Sequence, residues 1–92
     1  MADISKINFI AMREPTDSLK ESWRKLYVRN QSKWIRRSKL TKEHLDQEFL
    51  WDGIEYSLEG AVDSLHMLVK RIGDNKYFRV HSDLVDKAFN IN

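Results

Sequence analysis

Trp51-Asp52-Gly53-Ile54-Glu55-Tyr56-Ser57-Leu58-Glu59-Gly60-Ala61 and its continuation to Ile72 form the stretch whose reading decides the fold. Trp51, Ile54, Leu58, Ala61, Leu65, Leu68 and Ile72 follow one another at steps of three and four. That spacing returns each residue to one side of an α-helix. Sustained over three heptads, it describes a seam for helix-on-helix packing. The spacing predicts one helix over 42–72, with Thr41 as N-cap and Gly73 before Asp74-Asn75 as its stop. Such a helix is roughly 45 Å long at about 1.5 Å per residue. Gly53 leaves open two helices in line.

Working outward, Glu14-Pro15-Thr16-Asp17 is the clearest punctuation. Proline disfavours helix at the residue before it and suits a helix start. Thr16 or Asp17 can accept from the exposed N–H groups of a following first turn. Leu19, Trp23, Leu26, Tyr27, Asn30 and Trp34 then recur at helical steps, which predicts a second long helix over 17–36. Before the proline, Ile4, Ile7, Ile10 and Ala11 suit a short helix, with a strand around Ile7–Ile10 as the alternative. At the other end, Tyr77–Val80 reads as an extended link, and Ser82 opens a short helix bearing Leu84, Val85, Ala88 and Phe89.

The fold expected from these readings is all-α. It is a single domain over 1–92, a small helical bundle built on two long helices with short flanking segments. The 42–72 helix would be apolar on two sides, since Leu45, Phe49, Tyr56 and Met67 lie off the seam. A helix apolar on two sides is buried on two sides, and a 92-residue chain has little to spare for both. A homo-oligomer is therefore expected, with Phe49, Trp51, Ile54, Tyr56, Leu58 and Leu65 as the self-association residues.

The net charge of +2 conceals a segregation. Residues 20–42 carry nine basic side chains against Glu21 alone, and 43–69 carry seven acidic ones with no lysine or arginine. Like charges in blocks repel, so the two stretches are expected to lie side by side. Exposed pairs contribute about 0–1 kcal/mol each, enough to set register but not to hold the fold.

Several function classes lose ground here. There is no cysteine, hence no thiolate chemistry and no disulfide of the kind small secreted domains rely on; a cytoplasmic setting is expected. No apolar run is long enough to span a membrane. Gly53, Gly60 and Gly73 are too scattered for a phosphate-binding loop. Asp63-Ser64-Leu65-His66 has the carboxylate-x-x-histidine step of helical metal sites, but a single copy reads as part of a solvated acidic stripe. No metal, cofactor or catalytic residue is assigned.

What remains is binding. The expected function is a small, non-catalytic regulatory or inhibitory protein that engages a macromolecular partner. An alternative is binding of nucleic acid or a phosphorylated ligand through the basic stretch. There Lys25, Arg29, Lys33, Arg36 and Arg37 supply donors to phosphate, with Trp23, Tyr27 and Trp34 interleaved. A third reading is a self-assembling adaptor.

Overall fold

The computed structural model describes residues 9–34 and 40–89, except the side chains of 30–34. The all-α expectation is overturned: the protein is an α+β fold built on one antiparallel sheet of five strands. Strand β1 (Phe9–Met12) is followed by helix α1 (Asp17–Trp34) and a 3-10 turn (Lys42–His44). Strands β2 (Glu48–Trp51), β3 (Ile54–Ala61), β4 (His66–Arg71) and β5 (Tyr77–His81) come next, and helix α2 (Ser82–Ala88) follows them. The spatial order is β1-β5-β4-β3-β2, which leaves β1 and β2 as the two edges among the described strands.

The predicted helix over 42–72 is three strands. Its breaking point is Asp52-Gly53, where both residues have positive φ, 54° and 76°. Two consecutive left-handed residues make the tight turn whose twist matches paired strands, and glycine takes that conformation without cost. Trp51 and Ile54 close the turn as partners. Alternation then takes over from the three-four pattern: Tyr56 and Leu58 are buried on one face of β3 and join the core cluster.

A β-bulge at Glu59 explains the coincidence that mimics a heptad. Leu58 pairs with Val69 and Ala61 with Met67, so a step of three still returns Ala61 to the face of Leu58. The seam fails beyond this point. Leu65 lies in the β3–β4 loop, and Leu68 pairs with Gly60 on the opposite face. That loop is shaped by Asp63, whose Oδ1 accepts from the N–H groups of Leu65 (2.8 Å) and His66 (2.9 Å).

The other elements follow from local chemistry. Thr16 Oγ1 accepts from Leu19 N–H and starts α1. The helix runs close to the expected 17–36, whose last two residues lie outside the described set. Thr41 caps as anticipated, but it caps one 3-10 turn, its hydroxyl accepting from Glu43 N–H and its own N–H meeting His44 Nδ1. The Gly73-Asp74-Asn75 stop is the β4–β5 hairpin turn, with Asn75 at φ 57°. Tyr77–Val80, read as a link, lies in β5. The segment before Pro15 is not a short helix but a strand at Phe9–Met12, which overlaps the extended alternative around Ile7–Ile10. The cap of α2 is His81, whose Nδ1 accepts from Asp83 N–H.

The core lies on the sheet face of Phe49, Tyr56, Leu58, Met67, Val69 and Val80, covered by Leu84 and Val85 of α2. Phe9 meets Tyr56 at 4.8 Å between ring centroids, and Phe49 meets Phe89 at 5.2 Å. Tyr27 and Leu40 complete the cluster, the Tyr27 hydroxyl donating to the carbonyl of Thr41. Gly60 points to the opposite face, the face of Leu68 and Tyr77, and there α1 lies directly against it. A β-carbon on Gly60 would stand 2.9 Å from the carbonyl carbon of Trp23.

Candidate interaction surfaces

The two charge blocks do meet within one chain, through Arg24. Its guanidinium makes a two-pronged bond with Asp46, the second prong at 2.8 Å. Arg24 beside Asp46 holds that carboxyl below its usual range, against the opposing effect of burial. This pairing ties α1 to the segment that leads into β2.

Lys25 and Arg29 stay outside the pairing. Both are exposed on α1; the carboxylate beside Lys25 is Glu21 of the same helix, at 3.7 Å. Lys33 belongs to α1, but its side chain is not among those described, and Arg36 and Arg37 lie outside the described residues. Of the interleaved aromatics, Tyr27 is buried and Trp23 partly so, which turns them toward the protein. Burial pushes the Tyr27 hydroxyl pKa well up.

The six residues expected to mediate self-association are divided by the sheet. Phe49, Tyr56 and Leu58 are buried inside a single chain. Trp51 and Ile54 flank the β2–β3 turn, and Leu65 sits in a loop; the latter two are 41% and 37% exposed. The Trp51 indole N–H is buried and meets no acceptor among the described residues.

The surface that sequence reasoning missed is the β2 edge. Leu50 is 60% exposed, the most exposed large apolar side chain described. A two-residue hairpin makes Trp51 and Ile54 a hydrogen-bonded pair, and bonding alternates from there. Phe49 and Trp51 therefore face β3; the bond from Leu58 N–H to Gln47 C=O continues the alternation. Glu48 and Leu50 turn their N–H and C=O groups away from the sheet. Around Leu50 stand Glu48, Asp52 and Glu55, all exposed. The signal that would have located this edge is Asp52-Gly53 between apolar neighbours.

Elsewhere several charged groups are satisfied locally, while the Arg79 Nε is buried and meets no acceptor among the described residues. Between the hairpin tips lies an open groove of about 580 Å³, lined in part by Gly53, Glu55, Arg71 and Asp74. Arg71 is forked onto Asp74 at 2.9 and 2.6 Å, which pushes the Asp74 pKa down to about 2. His66 and His81 are cross-strand partners with rings 5.5 Å apart. Asp63 holds His66 Nδ1 at 2.9 Å; burial opposes ionisation of Asp63, but the Leu65 N–H and His66 outweigh it and its pKa is lowered. Among the described residues no group of three or more potential ligands comes together for a metal, and no helix is long and apolar enough to cross a membrane.

The chain matches no family model, no characterised protein and no solved structure.

Proposed function

We propose that this chain is a non-catalytic interaction module that binds a protein partner by taking one of its strands onto β2. The observation that carries this reading is Leu50, exposed at the centre of an edge strand whose neighbouring backbone groups point outward. Proteins usually blunt such edges, because an unpaired strand is a template for another chain. Strand addition takes affinity from main-chain bonds and specificity from alternate side chains.

The test is site-specific photo-cross-linking in the native cell. A photoreactive residue at Glu48 should give one defined protein adduct, and Leu50→Pro in the same chain should abolish it. Proline there removes an outward N–H while sparing the bonds to β3. A photoreactive residue at Ser22, on the outer side of α1, serves as the control. Adducts from Ser22 alone, or none at all, would remove the reading.

A second reading rests on Lys25 and Arg29, which face solvent and are not tied to the acidic block. These cations suit a polyanion such as nucleic acid. Its test is retention on a polyanion column, described with the predictions below.

A further inference from the structure

We infer that the strand docked on β2 is cationic: an extended protein segment that sets an apolar residue beside Leu50 and a lysine or arginine to either side. The inference rests on the proposed strand addition and specifies its partner. Glu48 pairs with Ser57 and Leu50 with Glu55, so the side chains of Glu48, Leu50, Ser57 and Glu55 share one face. An added strand places each of its side chains directly opposite one on the edge, and alternate positions share a face. The residue facing Glu48 and the one facing Leu50 are therefore two apart. Asp52 stands at the turn on the far side of Leu50. The complementary pattern is basic-x-apolar-x-basic.

Among the described residues, the exposed charges that flank Leu50 have one sign. Glu48, Asp52 and Glu55 are exposed carboxylates. The cations described on the same face stand further off or are taken up. Lys70 pairs with Ser57 on the next strand but one, about 10 Å away at the usual strand spacing. Arg79 pairs with Leu68 a strand beyond that, and Arg24 of α1 is held by Asp46. A second copy of this chain paired edge to edge would bring the same carboxylates together, and like charges directly opposite are destabilising. A nucleic acid would meet the same repulsion. Complementary charge on a strand partner steers its approach and fixes its register.

The test uses the full chain and two synthetic peptides, Thr-Lys-Thr-Val-Thr-Lys-Thr and the same peptide with glutamate for lysine, followed by amide NMR at low salt. The lysine peptide should bind about tenfold more tightly, with the largest shifts at the amides of Glu48 and Leu50. The preference should shrink at high salt and reverse in the Glu48→Lys/Glu55→Lys variant, whose changes are both exposed. Equal binding of the two peptides, or shifts centred away from β2, would overturn the inference. If neither peptide moves the edge amides while the cross-link from position 48 persists, the charge assignment falls and strand addition stands. If the cross-link is also missing, both fall. Edge amides that shift with protein concentration alone, with a rise in sedimenting mass, would make the occupant a second copy and overturn the inference as well.

Discussion

The β-carbon that Gly60 lacks would sit 2.9 Å from the carbonyl carbon of Trp23 and 3.0 Å from its oxygen. Both are backbone atoms, so neither can swing aside. The contact is where α1 meets the sheet, and it fixes how far α1 stands from β3. Gly60→Ala should push the helix away at a cost of about 1–3 kcal/mol, as overpacking does, lowering Tm by roughly 5–15 °C in a chain of this size. Gly53→Ala meets no atom within 4 Å but sits at φ +76°, where a β-carbon costs about 1–2 kcal/mol. Gly73→Ala has open space and no such φ, and should stay within about 0.5 kcal/mol of the parent. Thermal melts of the three variants check the order; a Gly60→Ala protein as stable as Gly73→Ala would contradict the contact.

Asp46 offers a pH test of the bridge between the charge blocks. Its pKa is lowered in the folded state, chiefly by Arg24. A carboxyl lowered on folding contributes stability above its unfolded pKa, and the contribution is lost as pH falls through the folded value. Acid should therefore weaken the parent below about pH 4, and Asp46→Asn should lack that part of the loss. Asparagine tolerates the positive φ of 70° at this position, so the backbone is preserved. Both partners are about half exposed, and the difference at neutral pH should not exceed about 1 kcal/mol. Urea melts from pH 2 to 7 measure it.

Leu58 and Leu65 separate the sheet from the helical seam. On a heptad seam the two are equivalent. In the sheet Leu58 is fully buried, while Leu65 is 37% exposed in a loop. Leu58→Asp should unfold the protein, since an unpaired buried charge costs several kcal/mol against a total of roughly 5–10. Leu65→Asp should leave a cooperative melt. Circular dichroism of the two variants decides; equal damage would favour the seam.

Lys25 and Arg29 are exposed, so Lys25→Gln/Arg29→Gln should change stability by no more than about 0.5 kcal/mol. If α1 takes a polyanion, the double variant should elute earlier from a polyanion column. Its logarithmic salt slope should drop by about two, near one per lost phosphate contact. An unchanged slope removes the second functional reading.

Elements specified by local signals are legible in the sequence. Helix α1 was legible because Pro15, the Thr16 cap and the inward trio Trp23, Leu26 and Tyr27 all act within a few residues, and helical bonds close over four. The stretch 51–72 carries two periods at once. Trp51, Ile54, Leu58 and Ala61 satisfy steps of three and four, while Ile54, Tyr56 and Leu58 alternate with Glu55, Ser57 and Glu59. Asp52-Gly53 favours the second period, because both residues take the positive φ of a tight hairpin turn.

Much of the candidate site was out of reach for a different reason. The sequence by itself determined the charge blocks, the exposed cations Lys25 and Arg29 and the cap of α1. Tertiary structure alone decided that Leu58 is core and Leu50 surface. It also decided that Arg24 makes the bridge to Asp46, and that β2 is an edge among the described strands. Strand bonds join residues distant in the chain: Leu58 finds Val69, and Phe9 finds Val80. An edge exists only relative to the order of all five strands, and no window of sequence contains that order.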